Sequence, residues 1–295
     1  MTEAQPQCYA GLSNVTYEGD PFDLGAGVTL RSTYAHLFAV PMMAFARAPA
    51  GQPHPAPWHA ARGGFSYDIE VEIVVPTAKV LPGNLGVEEV VGLIAGLLRM
   101  AEYVSLMVPV LSDLPFDAVG GSEGKPLLRP HETEARILRA EGEEVARLKT
   151  EDLEWVKRVW PRTGEMFRTC SPLRMAFQAA DTCTVRGRPA SALLMAWGAL
   201  EELFAPSRAE LRFRVSAHIA AYLEPIGPTR LLLYKQIADL YNARSKAAHT
   251  AQEIEIRTLI HSFVILRNAL VRMIDEGAVP TQADFERILF CDSRE

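Results

Sequence analysis

The spacing of apolar and polar residues divides the chain into a strand-rich first third and a helical remainder. Apolar and acidic positions alternate over residues 65–75, and this period of two predicts a half-exposed strand. A shorter apolar run over 27–31 predicts another strand. Residues 87–100 instead place apolar side chains on one face of a helix. Residues 102–111 return to an extended apolar pattern, in which Pro109 argues against a central strand.

Segments rich in proline and glycine separate these elements. Residues 48–57 are dense in proline and predict a surface loop. Residues 120–126 are rich in glycine and form the clearest linker. After this linker, charged amphipathic patterns over 131–148 and 151–160 predict two helices that bridge the halves of the chain.

The second half of the chain is helical throughout. Ser171 followed by Pro172 is a start signal, because serine caps a helix and proline suits its first position. Thr281, with Asp284 three residues later, resembles a capping box. The periodicity predicts helices over about 172–185, 189–204, 208–224, 228–248, 252–275 and 281–290.

Together these patterns predict an α+β protein. Its expected parts are a mixed α/β N-terminal domain over 1–118, a linker with bridging helices over 119–165, and an all-α helical bundle over 166–295.

Composition excludes several classes of protein. The 295 residues are 48% hydrophobic and 22% charged, which is ordinary for a soluble globular protein. The four cysteines form no CxxC pair, which argues against a structural zinc site or a disulfide framework and favours a reducing cytoplasm. The first residues lack the features of a secretory signal, and no apolar run is long enough for a membrane span. We therefore expect a cytoplasmic protein without a membrane partner.

The net charge of −6 is unevenly distributed along the chain. Residues 1–165 carry 14 Lys and Arg against 22 Asp and Glu, whereas residues 166–290 carry 15 against 12. A helical half with a charge of +3 permits local contact with phosphate, but the excess is too small to predict broad nucleic-acid affinity. An ordinary fluctuation of charge explains the difference equally well.

The segment Leu240-Tyr-Asn-Ala-Arg-Ser-Lys-Ala-Ala-His-Thr250 carries the clearest candidate chemistry. Arg244 can bracket phosphate oxygens with its planar fork, and His249 can exchange a proton near neutral pH. Neither task needs a metal or a cofactor. On an unbroken helix, however, positions five residues apart differ by ~140° in direction. Either the helix ends or distorts near His249, or Arg244 reaches round it; a solvent-facing arginine and a helix-capping histidine are the alternative explanation.

Three successive helical segments give this pair a context. They are Ala196-Trp-Gly-Ala-Leu-Glu-Glu-Leu-Phe204, Glu210-Leu-Arg-Phe-Arg-Val-Ser-Ala-His-Ile-Ala-Ala-Tyr-Leu223, and the segment that contains Arg244 and His249. In this order they resemble the ApeA-like branch of the HEPN superfamily, over residues 170–290. The resemblance implies a helical bundle that dimerises, so that the Arg and His motifs of two subunits form one metal-independent endoribonuclease site. It also implies a role in toxin–antitoxin systems or anti-phage defence.

The resemblance assigns expected roles to individual residues. Arg244 would stabilise charge on the phosphorus, and His249 would act as general acid and base. Asn242 and Ser245 would orient the phosphate, and Glu201 would hold Arg244 or His249 in place. Thr250 stands where family members frequently have glycine, which concerns the local turn but leaves the two central residues intact.

Basic residues near these segments are candidates for RNA contact. Arg208 and Arg212 lie one helical turn apart, with Arg214 displaced round the helix, and Lys246 lies within the motif itself. A solvated face of the helix is the competing explanation for these side chains.

Two functional hypotheses follow. The first is a homodimeric, metal-independent endoribonuclease that acts on RNA, with an antitoxin or a sensor ligand at the N-terminal domain. The second is a non-catalytic helical module that binds RNA, a nucleotide or another protein.

Overall fold

The fold is described from a computed structural model. It describes residues 6–38, 43–44, 48–53, 59–60, 66–122, 124–132, 134, 145–185, 189–205, 210–249 and 254–291. Within these ranges, the side chains of residues 43–44, 59–60 and 247–249 are not described.

The described residues form an antiparallel sheet followed by packed helices, so the predicted α+β class is confirmed. The strands are β1 (Gln7–Ser13), β2 (Val15–Thr16), β3 (Phe22–Gly25), β4 (Val28–Phe38), β5 (Met43–Ala44), β6 (His59–Ala60), β7 (Ser66–Pro76), β8 (Met107–Ser112), β9 (Leu128–Pro130) and β10 (Ala146–Arg147). The helices are α1 (Val87–Met100), α2 (Phe116–Val119), α3 (Thr150–Thr169), α4 (Ser171–Cys183), α5 (Pro189–Phe204), α6 (Leu211–Leu223), α7 (Pro228–His249), α8 (Ile256–Glu276) and α9 (Gln282–Phe290), with a 3₁₀ turn at Pro82–Asn84.

The main sheet has six strands in the order β3-β4-β7-β1-β8-β9, and neighbouring strands are antiparallel. Helix α1 covers one face of this sheet and packs in turn against α3 and α4. The four-residue helix α2 lies on the other face, where Phe116 packs against Ile69 and Val110.

Strand β7 is more deeply buried than its alternating sequence predicts. The expected half-exposed strand lies between β4 and β1, and Glu72 has no exposed surface. Its carboxylate lies 2.6 Å from the Arg31 guanidinium and accepts a hydrogen bond of 2.9 Å from the Phe116 amide. The alternation holds at Asp68 and Glu70, which keep exposed surface, and fails at Glu72, because these partners allow an acidic residue to be buried within a central strand.

The expectation that Pro109 prevents a central strand was also wrong. Strand β8, which contains this residue, has β1 on one side and β9 on the other. The pairing of β8 with β1 is irregular between Gly11 and Ser13, beside the proline. A strand tolerates proline at such an irregularity, where its missing N–H interrupts the ladder least.

The helix predicted over 131–148 does not form at either of its described ends. His131 and Glu132 follow β9 without helical structure, and β10 pairs in parallel with β2. At both ends the backbone N–H and C=O groups are bonded to neighbouring strands, β8 and β2, and not within a helix. The centre of this prediction, residues 135–144, lies outside the described residues.

The helices of the second half lie where their periodicity places them. Helices α5 and α7 begin at Pro189 and Pro228, and α8 ends at Glu276, where Gly277 caps it with a left-handed φ of 68°. Thr281 and Asp284 form the predicted capping box at the start of α9, in which each residue binds the backbone N–H of the other. Proline, glycine and capping residues of this kind allow helix ends to be predicted from sequence.

Replacing Thr281 by alanine tests the capping box. The Thr281 hydroxyl would no longer accept the Asp284 amide, so the free energy of unfolding should fall by about 1 kcal/mol. The hydrogen bonds that Asp284 accepts from Thr281 hold the pKa of its carboxyl below the usual range. Stability from this contact is present above the ordinary aspartate pKa and is lost as the pH falls through the lower folded value. Urea unfolding should therefore show a smaller difference between the two proteins in acid than at neutral pH.

One hydrophobic core runs from the sheet into the helical bundle. It includes residues of β1, β4 and β7, continues through α1 and α3, and reaches α9 at Phe285. Gly96 on α1 allows the Phe177 ring to approach, since a Cβ atom there would lie 2.5 Å from that ring. Trp160 on α3 is fully buried and donates a hydrogen bond of 2.7 Å to the carbonyl of Leu24.

Arg99 connects the same two regions by polar contacts. Its guanidinium, 3% exposed, lies 2.7 Å from both Glu132 and Asp181, and its Nε donates to the carbonyl of Leu106. Because Asp181 belongs to α4 and Arg99 to α1, this cluster ties the sheet-covering helix to the bundle.

Candidate functional site

Helix α7 carries the Arg–His motif without an interruption. The backbone is helical from Pro228 to His249, the last residue of the helix. Positions 244 and 249 therefore lie ~140° apart around the helix axis, as the ideal geometry requires. His249 is placed by its backbone alone, since its side chain lies outside the described residues.

Arg244 is held by an ion pair with Glu201 on α5. Its Nη2 lies 3.0 Å from Oε1 and donates to Oε2 at 3.2 Å. Both side chains are largely buried, with 24% of Arg244 and 18% of Glu201 exposed. Glu201 thus stands beside Arg244, which is one of the two positions that the resemblance gave it.

The ion pair leaves part of the guanidinium unused. Both contacts with Glu201 are made through Nη2. The Nε atom of Arg244 is buried and finds no hydrogen-bond partner among the described residues. A buried donor without a partner costs about 1–3 kcal/mol, so an acceptor that reached it would be favoured.

Two aromatic side chains connect Arg244 to the core of the helical bundle. The Arg244 guanidinium lies 5.6 Å from the centre of the Tyr241 ring, within cation–π range. Tyr241 in turn packs edge-on against Trp197, whose indole N–H donates to the Ser262 hydroxyl. Trp197 is fully buried, so Arg244 rests on a rigid part of the core.

Burial raises the pKa of the Tyr241 hydroxyl, the nearby Glu201 carboxylate raises it further, and Arg244 opposes both. The phenol therefore stays neutral at physiological pH. Tyr241 was not among the site residues predicted from the sequence. Its position three residues before Arg244, on the same helical face, is the signal that could have placed it in the site.

The remaining predicted residues are not gathered round Arg244. Asn242 and Ser245 are partly buried at positions 200° and 100° round the helix from it, and Lys246 is exposed. Arg212 is exposed and Arg214 partly buried, both near the start of α6. A sixth candidate, Arg208, lies outside the described residues.

The described part of the chain contains no group of three or more His, Cys, Asp and Glu side chains arranged to hold a metal ion. Of the helices in that part, none combines the length and apolarity needed to cross a membrane.

Comparisons with protein-family models, with curated proteins and with solved structures give no match. The resemblance to the HEPN superfamily therefore rests on the sequence segments quoted above.

Proposed function

We propose that this chain is a metal-independent endoribonuclease in which Arg244 binds the scissile phosphate and His249 transfers protons. The observation that carries the proposal is the state of Arg244. It is anchored to Glu201 through one nitrogen and supported by Tyr241, while its buried Nε has no partner in the described structure. A guanidinium that is held in place through one nitrogen keeps further N–H groups with which to bind phosphate oxygens.

The reaction requires two proton transfers. The ribose 2′-oxygen attacks phosphorus as its proton passes to a base, and the bond from phosphorus to the 5′-oxygen breaks as that oxygen receives a proton from an acid. The products are a 2′,3′-cyclic phosphate and a 5′-hydroxyl. Histidine can perform either transfer, but one imidazole cannot be base and acid at the same moment.

A second copy of the chain would resolve this requirement. Two copies supply two His249 side chains, one to accept the proton and one to donate it, and two Arg244 side chains for the phosphate. Such a composite site also removes the need for Arg244 and His249 of one chain to share a helical face. The resemblance to dimeric HEPN proteins supports the same arrangement.

The charge distribution fits an enzyme that binds RNA locally. Glu201 offsets part of the charge of Arg244, and the helical half carries an excess of only three positive charges. Binding should therefore depend on the site itself more than on a broad basic surface. Under this proposal the acidic N-terminal half binds an antitoxin or a sensor ligand, as in a toxin or an anti-phage system.

A non-catalytic role is the second candidate, and one observation favours it. Glu201 neutralises Arg244, and position 249 lies on another side of the continuous helix. In that case the motif would bind RNA, a nucleotide or a protein without cleaving a bond.

Cleavage of RNA by the full-length chain tests the proposal. We expect cleavage that persists in excess EDTA and spares DNA of the same sequence, since DNA lacks the attacking 2′-hydroxyl. Replacing His249 by alanine should lower the rate by ~10²–10⁴-fold, because proton transfer contributes about that much. Products should end in a 2′,3′-cyclic phosphate, which mass spectrometry identifies.

His261→Ala serves as the matched control. This histidine lies on α8, outside the Arg–His motif, and its replacement should leave the rate unchanged. Undiminished cleavage by His249→Ala would remove that residue from the mechanism. RNA that binds wild type but not Arg244→Ala, without any cleavage, would support the non-catalytic role.

A further inference from the structure

A groove runs between α7 and α8, next to the Arg–His motif along the chain. Its volume is about 710 Å³, and Leu223 and Glu224 at the end of α6 also line it. Val264 on its wall is 41% exposed, so apolar surface there meets solvent. The two helices that form the walls follow one another in sequence, yet they make few contacts with each other.

Both walls have the residue spacing of a coiled-coil seam. Helix α7 contributes Leu233, Gln236, Asp239, Leu240 and Ala243, and within this set positions 233, 236, 240 and 243 are separated by three, four and three. Helix α8 contributes Thr258, His261, Val264, Ile265 and Asn268, and positions 258, 261, 265 and 268 repeat the same spacing. Side chains spaced in this way form the holes that receive the knobs of another helix. The groove therefore has the form of a seam between two helices from which a third helix is missing.

The charged residues of the groove determine what such a helix would carry. Glu224 and Asp239 line it, and no lysine or arginine does so among the described residues. A helix with lysine or arginine beside its apolar stripe would place positive charge next to these carboxylates, whereas an acidic helix would be repelled.

We propose that the α7–α8 groove binds a cationic amphipathic helix from another protein. The apolar stripe of that helix would pack between the leucine and isoleucine side chains of the walls. Its basic residues would lie against Glu224 and Asp239 at the rim. This binding mode is the insertion of a helix into an apolar groove, recognised through residues spaced three and four apart.

A second copy of this chain does not supply the required helix. The most basic described helix is α7, with four Lys and Arg against one Asp. Its stripe from Leu233 to Ala243 already forms a wall of its own groove, so it is not available to fill another. The neighbouring stripe of α7 is mainly polar, with Lys235, Asp239 and Lys246 after a single leucine.

The inference stands apart from the proposed nuclease activity, because neither Arg244 nor Glu201 lines the groove. Failure of one proposal therefore leaves the other intact.

Two designed peptides of about three heptads test the proposal. Both have leucine at the two core positions, and they differ only in lysine or glutamate at the flanking positions. Fluorescence anisotropy with the full-length chain should show the lysine peptide binding at least ~tenfold more tightly, with affinity that weakens as salt is added. Asp239→Lys should reduce this preference by adding a positive charge beside the peptide.

Val264→Lys is the blocking variant, since it places a charged side chain inside the groove. It should weaken binding of the lysine peptide at least ~tenfold. Leu231→Lys is the matched control, because this leucine is 56% exposed on α7 but does not line the groove. Circular dichroism and thermal unfolding of both variants establish that they are folded.

Three results would overturn the proposal. The first is equal affinity for the lysine and glutamate peptides. The second is equal binding by the Val264→Lys and Leu231→Lys variants. The third is a dimer of the chain, seen by sedimentation, that Val264→Lys dissociates and Leu231→Lys does not, since a second copy would then occupy the groove.

Discussion

Replacing Arg99 by methionine is expected to lower the free energy of unfolding by about 3 kcal/mol. The guanidinium is 3% exposed and is bound by Glu132, by Asp181 and by the carbonyl of Leu106. Methionine keeps much of the packing volume but leaves the carboxylates and the carbonyl without this donor. Loss of one partner from a buried ion pair costs about 3–5 kcal/mol. The lower end applies because the carboxylates are about a fifth to a quarter exposed and can recover some hydration.

Urea unfolding at neutral pH measures this loss, as a lower midpoint with an unchanged slope. Arg129→Met is the matched control, since Arg129 forms an ion pair with Glu88 in which both side chains are about half exposed. An exposed pair contributes at most about 1 kcal/mol. Equal losses in the two variants would show that Arg99 acts as an ordinary surface arginine.

Replacing Gly83 by alanine is expected to destabilise the protein by about 2–5 kcal/mol. Gly83 has φ of 71°, a left-handed conformation that costs another residue about 1–2 kcal/mol. A Cβ atom there would lie 2.3 Å from the carbonyl oxygen of Gly164, in the backbone of α3. Backbone cannot turn aside as a flexible side chain can, so the 3₁₀ turn would have to move away from α3, at a further cost of about 1–3 kcal/mol.

Gly92→Ala is the control variant, and it is expected to stabilise the protein. Gly92 lies within α1, and a Cβ atom there would contact nothing within 4 Å. Alanine favours the helix, so this variant should be about 0.5–1 kcal/mol more stable than wild type. Thermal unfolding of both variants makes the comparison, and a stable Gly83→Ala protein would mean that the turn is free to shift.

A second readout follows the contact at Gly83 directly. The Gly83 amide donates a 2.7 Å hydrogen bond to Glu165, which holds the pKa of that carboxyl below its usual range. If the turn moves in Gly83→Ala, the pKa of Glu165 should rise toward its ordinary value, which NMR titration detects.

The helices were largely predictable from sequence because their signals are local. Apolar periodicity placed α1 at residues 87–100, and proline, glycine and a capping box marked the ends of later helices. The burial of Glu72 on β7 was not predictable in the same way. The burial of Glu72 depends on Arg31 and Phe116, which come from other elements 41 and 44 residues away. Local alternation cannot report such distant partners.

The same distinction applies to the candidate site. The angular separation of positions 244 and 249 follows from helix geometry alone, because α7 is regular through the motif. The contact between Arg244 and Glu201 spans 43 residues and depends on how α5 and α7 face one another. The groove was likewise hidden, since the spacing of three and four in α7 and α8 does not reveal that the two seams stand apart.

The burial of Trp160 gives the protein an internal spectroscopic reporter. Its indole is fully buried where α3 meets the sheet, and its N–H is bonded to the carbonyl of Leu24, 136 residues earlier. Trp197 is fully buried within the helical bundle. Indole emission shifts to longer wavelength when water reaches the ring. Variants that retain only Trp160 or only Trp197, with Trp58 and Trp155 also replaced, would therefore report separately on the junction and on the bundle. Coincident shifts during unfolding would identify the sheet and the helices as one cooperative unit.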